Sequence, residues 1–92
     1  MSVPGRRYGI VFAPAAERQL RKLPAAVRER IVRVSERLAT DPRPPGVVKL
    51  AGTDELYRIR AGGYRLIYQI ADDQLIVLIA RVAHRKDAYR GT

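Results

Sequence analysis

The sequence contains no cysteine and no tryptophan among its 92 residues, and its one histidine is His84. Without cysteine, a disulfide framework, a thiolate metal site and a thiol nucleophile are all excluded. A single histidine also excludes paired-histidine zinc motifs. The longest apolar run covers residues 75–80, far short of the roughly 20 residues that cross a bilayer. A signal peptide requires an apolar stretch after its basic N-terminus, and no such stretch follows the basic residues here. We therefore expect a cytoplasmic protein with no metal, no cofactor and no membrane contact.

Acidic residues are scarce, and this scarcity is the first clue to a partner. Nine Asp and Glu residues stand against 18 Lys and Arg residues, which gives a net charge of +9, and 15 of the 18 are arginine. Such a surplus on a small surface indicates a polyanionic partner, which is nucleic acid, an acidic protein or anionic lipid. Arginine binds phosphate through a planar, permanently charged fork, but a GC-rich genome also favours arginine over lysine, so the ratio of the two carries no weight. The charge pattern itself favours nucleic acid.

The first half of the chain has the pattern of one strand and two helices. Residues 8–12 form a short aromatic and β-branched run that predicts a strand. Pro14 suits the first turn of a helix that Pro24 ends. The apolar residues at 27, 31, 34 and 38 then share one helical face, and the prolines of residues 42–45 stop that helix. The chain therefore predicts an antiparallel helical hairpin.

The second half has the pattern of three strands, at residues 56–60, 64–71 and 74–83. Turn signals separate them, Ala61-Gly62-Gly63 first and Asp72-Asp73 second. The simplest arrangement is an antiparallel meander that forms one twisted sheet with the N-terminal strand. We therefore predict a single α+β domain over residues 1–92.

The register of the first hairpin decides where its arginines lie. We predict that Arg60 pairs with Gly63 and that Arg58 faces Arg65, because a slip by one residue would mix arginines into the core. One face then carries the apolar and aromatic residues, and the other carries Arg58, Arg60 and Arg65 as one exposed patch. Arg81 has no confident place in this scheme. The apolar face consists of Tyr57, Ile59, Tyr64, Leu66, Tyr68 and Ile70.

Five stretches, spread over nearly the whole chain, give a more specific indication. They are residues 20–24 (LRKLP), 49–52 (KLAG), 56–60 (LYRIR), 63–68 (GYRLIY) and 83–89 (AHRKDAY). Together with the order of the elements, they resemble the RelE/ParE superfamily of toxins from bacterial toxin–antitoxin pairs. The strings YRIRAGGYRLIYQI and HRKDAYR favour its RelE-like branch.

The resemblance implies a RelE-like, microbial ribonuclease-type fold and a definite activity. RelE-like toxins are metal-independent endoribonucleases that cut mRNA in the ribosomal A site by attack of the ribose 2′-hydroxyl, which inhibits translation. The expected partners are the ribosome, mRNA and an acidic, RelB-like antitoxin. The toxin alone is expected to be a monomer and to form a hetero-oligomer with its antitoxin. The alternative is a non-catalytic, ParE-like inhibitor of DNA gyrase.

Metal-free RNA cleavage needs a base for the 2′-hydroxyl, stabilisation of an anionic phosphorus and an acid for the leaving oxygen. Preorganised arginines meet the second need, but a guanidinium keeps its proton at pH 7. His84 and Tyr89 are the candidates for proton transfer, and Tyr89 is also suited to base stacking. By resemblance, the catalytic set is Arg58, Arg60, Arg65, His84, Arg85 and Tyr89, and the RNA-binding set is Lys49, Arg58, Arg65, Arg85 and Lys86.

The resemblance also shows a departure, because Arg58 and Arg60 occupy two positions that are often lysines in RelE toxins. General-base catalysis then falls to His84 or Tyr89, or catalysis rests on positioning and electrostatics. Structural roles compete with several of these assignments. His84 is equally suited to hydrogen-bond a backbone carbonyl, Tyr89 to anchor the C-terminus, and Lys49 to be a solvated loop charge.

Overall fold

The computed structural model describes residues 7–50 and 56–84. These residues form two helices and five strands, and no helix among them is long and apolar enough to cross a bilayer. The predicted α+β class, the helical hairpin and the three-stranded meander are confirmed, whereas the short strand β2 was not predicted. The elements are β1 (Gly9–Phe12), α1 (Pro14–Arg21), α2 (Ala25–Thr40), β2 (Val48–Lys49), β3 (Leu56–Ala61), β4 (Tyr64–Ala71) and β5 (Ile76–His84).

The five strands form one mixed sheet in the order β1-β5-β4-β3-β2. β3, β4 and β5 pair antiparallel as a meander, β2 pairs antiparallel with β3, and β1 pairs parallel with β5. A parallel pair requires a long connection between its strands. The helical hairpin lies in the chain between β1 and the meander, and it forms part of that connection.

The two helices cover one face of the sheet. α1 begins at Pro14, where the missing N–H of proline costs no helical hydrogen bond, and α2 begins after Pro24. Ile31 and Leu38 of α2 are fully buried, as their shared helical face predicts. The buried hydroxyl of Ser35 donates to the Ile31 carbonyl at 2.9 Å, which satisfies its polar group within the core.

The sheet face toward the helices is the predicted apolar face. Leu66 and Tyr68 are fully buried, and Tyr57, Ile59, Tyr64 and Ile70 pack against the same core cluster. The Tyr68 hydroxyl donates to the Pro42 carbonyl oxygen at 2.7 Å. Burial raises the pKa of Tyr68 well above its ordinary value. The alternation of apolar and charged residues therefore predicted both faces of β3 and β4 correctly.

The predicted register of the first hairpin is wrong by two residues. Arg60 pairs with Arg65, not with Gly63, and Ala61 pairs with Tyr64 at the end of the hairpin. A shift by two leaves every side chain on its predicted face, because successive side chains alternate. Arg58 consequently lies opposite Ile67 instead of Arg65.

A two-residue turn at Gly62-Gly63 fixes this register. Gly62 has a positive φ of 64°, and Gly63 does not share it. A positive φ at the first of two loop residues is typical of a type II′ hairpin turn, which favours glycine there. A Cβ at Gly62 would also lie 3.1 Å from the Arg30 side chain of α2.

A β-bulge in β5 changes which residues face the helices. Ile67 pairs with Arg81 and Tyr68 pairs with Ile79, so Ala80 is an extra residue in β5. An extra residue reverses the alternation beyond it. Arg81 therefore lies on the face away from the helices, and His84 lies on the helix side, opposite Tyr64.

A polar cluster ties the proline-rich loop after α2 to the turn between β4 and β5. The Arg43 guanidinium donates to both carboxylate oxygens of Asp72, at 2.9 and 3.3 Å, and to the Tyr57 hydroxyl at 3.3 Å. The Tyr8 hydroxyl donates to Asp72 at 2.6 Å. Hydrogen bonds from Arg43 and then Tyr8 lower the pKa of Asp72 to about 2. The cluster fixes the loop that leads into β2.

The Gly62-Gly63 turn provides a matched test of the hairpin. We expect Gly62→Ala to lower the free energy of unfolding by about 1–2 kcal/mol, because an L side chain is strained at positive φ. Gly63→Ala is the control, since its Cβ would meet no atom within 4 Å. Urea denaturation followed by circular dichroism measures both variants. Equal destabilisation by the two alanines would contradict this account of the turn.

The Asp72 cluster predicts a dependence of stability on pH. Because folding lowers the pKa of Asp72, its carboxylate stabilises the fold above pH 3.8, which is its ordinary pKa. This stabilisation is lost as the pH falls toward about 2. Because the Asp72 side chain is 51% exposed, we expect Asp72→Asn to cost only about 1 kcal/mol at pH 7. Urea denaturation should show this difference vanishing between pH 4 and pH 2. Asp73→Asn, which removes the same charge from the same turn, should show no such difference.

Candidate nucleic-acid interface

Three arginines of β3 and β4 converge on the sheet face away from the helices. Arg58, Arg60 and Arg65 line a groove of about 330 Å³, here called the arginine groove. Gly46, from the loop before β2, and Val48, the first residue of β2, line it as well. The predicted convergence of these arginines on one face is therefore present in the structure.

The three arginines differ in burial, which the sequence did not predict. Arg60 is exposed, Arg58 is half-buried and Arg65 is only 8% exposed. The expected fully exposed patch is therefore wrong for Arg65. A buried guanidinium has few accessible rotamers, so its charge is held in place before any ligand arrives.

Arg60 and Arg65 lie directly opposite each other on neighbouring strands. Like charges at such a position repel and destabilise the sheet. An anion bound between them would offset this repulsion and would receive N–H donors from both strands. The pair is therefore suited to hold a phosphate group.

The wall of the groove is fixed by the polar cluster around Asp72. Arg43 anchors the loop after α2, and its guanidinium lies 5.4 Å from the centre of the Tyr57 ring. From there the chain runs through Gly46, which has a φ of 92°, to Val48, which pairs with Arg58. The Arg43–Asp72 ion pair thus helps to set the width of the arginine groove.

Two of the predicted site residues do not join this groove. Lys49 is exposed and pairs with Tyr57, which places it on the opposite face of the sheet from Arg58. His84 pairs with Tyr64, and the two rings meet edge to face at 5.3 Å on the helix side. Arg85, Lys86 and Tyr89 lie outside the described residues.

Arg81 is a candidate that sequence reasoning left unplaced. It is exposed and pairs with Ile67, on the same sheet face as Arg65. If side chains alternated strictly from the buried Ile79, the Arg81 side chain would point into the core. The Ala80 bulge prevents this, and no residue pattern in the sequence marks that bulge.

A larger hollow of about 600 Å³ lies at the other end of β4 and β5. Asp72 and Asp73 line it, and the described lining includes no cationic side chain. Carboxylates repel phosphate, so the smaller arginine groove is the better site for a nucleic acid.

Within residues 7–50 and 56–84, no three His, Asp or Glu side chains cluster in a way that would hold a metal ion.

Comparison with known proteins agrees with this fold. The family model of the ParE toxin of type II toxin–antitoxin systems matches residues 10–89. The toxin RelG of Mycobacterium tuberculosis is 38% identical over 87 residues, which cover 90% of this chain and 97% of RelG. The mRNA interferase toxin RelE of Escherichia coli K12 is 33% identical over 81 residues, which cover 86% of this chain and 84% of RelE.

Solved structures give the same result. The RelE of the archaeal RelE–RelB complex from Pyrococcus horikoshii OT3 superimposes with a TM-score of 0.76 at 30% identity, over 86% of this chain and 96% of that one. The family model and these relatives thus define a small basic toxin of the type II toxin–antitoxin class. The chain belongs to the ParE toxin family within the RelE/ParE superfamily. As its sequence motifs indicated, it is a RelE-like member.

The difference in burial separates the stability effects of two arginines. We expect Arg65→Ala to lower the free energy of unfolding by about 1–3 kcal/mol, because a buried polar side chain is removed. Arg60→Ala should leave the free energy of unfolding unchanged or raise it by up to about 0.5 kcal/mol, since the substitution removes a like-charge pair. Urea denaturation at low salt measures both. A larger loss for Arg60→Ala than for Arg65→Ala would contradict the assigned burial.

Proposed function

We propose that this toxin is a metal-independent, ribosome-dependent endoribonuclease that cleaves mRNA in the A site and thereby inhibits translation. The convergence of Arg58, Arg60 and Arg65 in one groove is the observation that carries the proposal. Similarity to a protein named mRNA interferase toxin RelE supports it. An mRNA substrate also places the toxin in the cytoplasm.

In this mechanism the ribose 2′-hydroxyl attacks the adjacent phosphorus, and a 2′,3′-cyclic phosphate forms as the 5′ oxygen leaves. Negative charge accumulates on the phosphate oxygens in the transition state. Arg60 and Arg65 would donate hydrogen bonds to those oxygens from two strands, and Arg58 would donate from the next position on the same face. Losing one such preorganised donor typically reduces the rate by roughly 100- to 1,000-fold.

Proton transfer needs groups other than these guanidinium side chains, because arginine keeps its proton at pH 7. The proposal assigns proton transfer to Tyr89 and a further phosphate contact to Arg85, as the resemblance implies. His84 is the other predicted candidate. Its position on the helix side of the sheet separates it from the arginine groove, so the proposal favours Tyr89.

An acidic, RelB-like antitoxin is the proposed partner, with mRNA and the ribosome as the targets. The charge of +9 and the exposed Arg60 favour an acidic ligand. The structures that resemble this chain include complexes of RelE with RelB. We propose that the antitoxin neutralises the toxin by covering the arginine groove and that the free toxin is a monomer.

The test is primer extension on mRNA incubated with the purified toxin, with and without translating ribosomes. We expect discrete cuts within A-site codons only when ribosomes are present. Arg60→Ala should reduce cleavage by roughly 100-fold or more, because it removes an exposed phosphate donor without unfolding the chain.

Two controls make this result specific. Arg33→Ala removes one exposed positive charge from α2 and should leave cleavage unchanged. The 3′ ends of the fragments should resist phosphatase until the cyclic phosphate is opened. Intact mRNA in both arms would overturn the nuclease proposal, and inhibition of gyrase supercoiling by the same preparation would establish the ParE-like alternative.

A further inference from the structure

The last residues of β5 extend beyond their neighbour β1. β1 pairs with β5 from Ile76 to Ile79 only. Farther along β5, the backbone N–H of Val82 donates to Oε1 of Gln19, a side chain of α1, at 2.9 Å. This contact fixes the orientation of the Gln19 amide. Its N–H groups meet no acceptor among the described residues.

A second groove, of about 370 Å³, lies between this end of β5 and the C-terminal end of α1. It is here called the Tyr64–His84 groove. Lys22 and Arg81 are its exposed cations, and none of the described residues that line it is acidic. Arg81 leaves β5 on the face away from the helices but lines this groove at the strand edge that β1 leaves uncovered. The lining residues are Gln19, Lys22, Leu23, Tyr64, Arg81, Val82, Ala83 and His84.

Two aromatic rings, those of Tyr64 and His84, line this groove. The Tyr64 ring is half-buried and packs against the core, whereas His84 is exposed. The two rings meet nearly at right angles, with their centres 5.3 Å apart. Proteins bind single-stranded RNA by stacking its bases on such rings while nearby cations contact the backbone.

The two grooves adjoin each other at the same end of the sheet. Tyr64 and Arg65 are consecutive residues of β4, and their side chains point to opposite faces. On β5, Ala83 pairs with Arg65 and His84 pairs with Tyr64. A strand residue rises only about 3.3 Å, so one RNA strand passing this end of the sheet could reach both grooves.

We propose that the Tyr64–His84 groove is a second subsite for single-stranded RNA. It takes a base that stacks on the exposed ring of His84 beside Tyr64, and Lys22, Arg81 and the Gln19 amide contact the adjoining phosphate and sugar. The nucleotide it binds flanks the one held in the arginine groove. This inference rests on the proposed function, because it takes RNA as the ligand, and it gives His84 a role in binding.

The test compares short and long RNA probes that resist cleavage. Fluorescence anisotropy would measure the Kd of a labelled 2′-O-methyl mononucleotide with 3′ and 5′ phosphates and of a labelled 2′-O-methyl nonanucleotide for the full chain. We expect Lys22→Ala and His84→Ala each to raise the Kd of the nine-nucleotide probe about five-fold or more. The mononucleotide, whose two phosphates direct it to the three cations of the arginine groove, should bind these variants and the wild type equally.

Arg33→Ala is the control for the loss of one positive charge. Its Kd should match that of the wild type, apart from the small change that the lower net charge causes. An equal effect of His84→Ala on both probes, or no effect on either, would overturn the subsite. If Arg60→Ala weakens both probes while the Lys22 and His84 variants do not, the subsite fails and the proposed function stands. If the wild type binds neither probe, the subsite fails, and primer extension with ribosomes still decides the proposed function.

Crosslinking provides a measurement that does not depend on a variant's folding. A nine-nucleotide probe carrying 4-thiouridine at each position in turn should crosslink to Tyr64 or His84 at one or two positions, as peptide mapping would show. Crosslinks confined to the arginine groove would overturn the subsite. Binding of a poly-glutamate peptide that depends on His84, without such crosslinks, would assign the groove to an acidic protein segment instead.

Discussion

The two-residue turn at Gly62-Gly63 is the constraint on which the rest of the site depends. A positive φ at Gly62 lets β4 return immediately beside β3, and this sets Ala61 opposite Tyr64 and Arg60 opposite Arg65. The same register places the predicted apolar face, which includes Tyr57, Leu66 and Tyr68, toward the helices. A longer turn would move the two arginines apart along the strands, and the groove would lose its facing pair of cations.

The bulge at Ala80 divides the basic residues of β5 between two surfaces. Beyond it, Arg81 lies on the side of the arginine groove and His84 lies on the side of the helices. Bulges commonly redirect side chains near functional sites. Here one inserted residue sends Arg81 and His84 to different faces at the same end of the sheet, although the helices cover only one of these faces.

The sequence predicted the parts of the structure that follow from periodicity. The helical face through Ile31 and Leu38 and the two faces of the β3–β4 hairpin are examples, since burial strongly penalises any slip by one residue. A slip by two carries no such penalty, so the pairing of Arg60 with Arg65 was missed. The positions of Arg81 and His84 depend on a bulge that no sequence pattern marks. β2 is too short to show a strand pattern in the sequence.

The facing arginines Arg60 and Arg65 would link ligand binding to the lifetime of the toxin. If a polyanion occupies the arginine groove as proposed, it raises the stability of the folded chain by mass action, because it binds only that form. The unoccupied toxin is then the form that unfolds most readily. Since cellular proteases act on unfolded chains, turnover favours the removal of toxin molecules that have found neither a target nor an inhibitor.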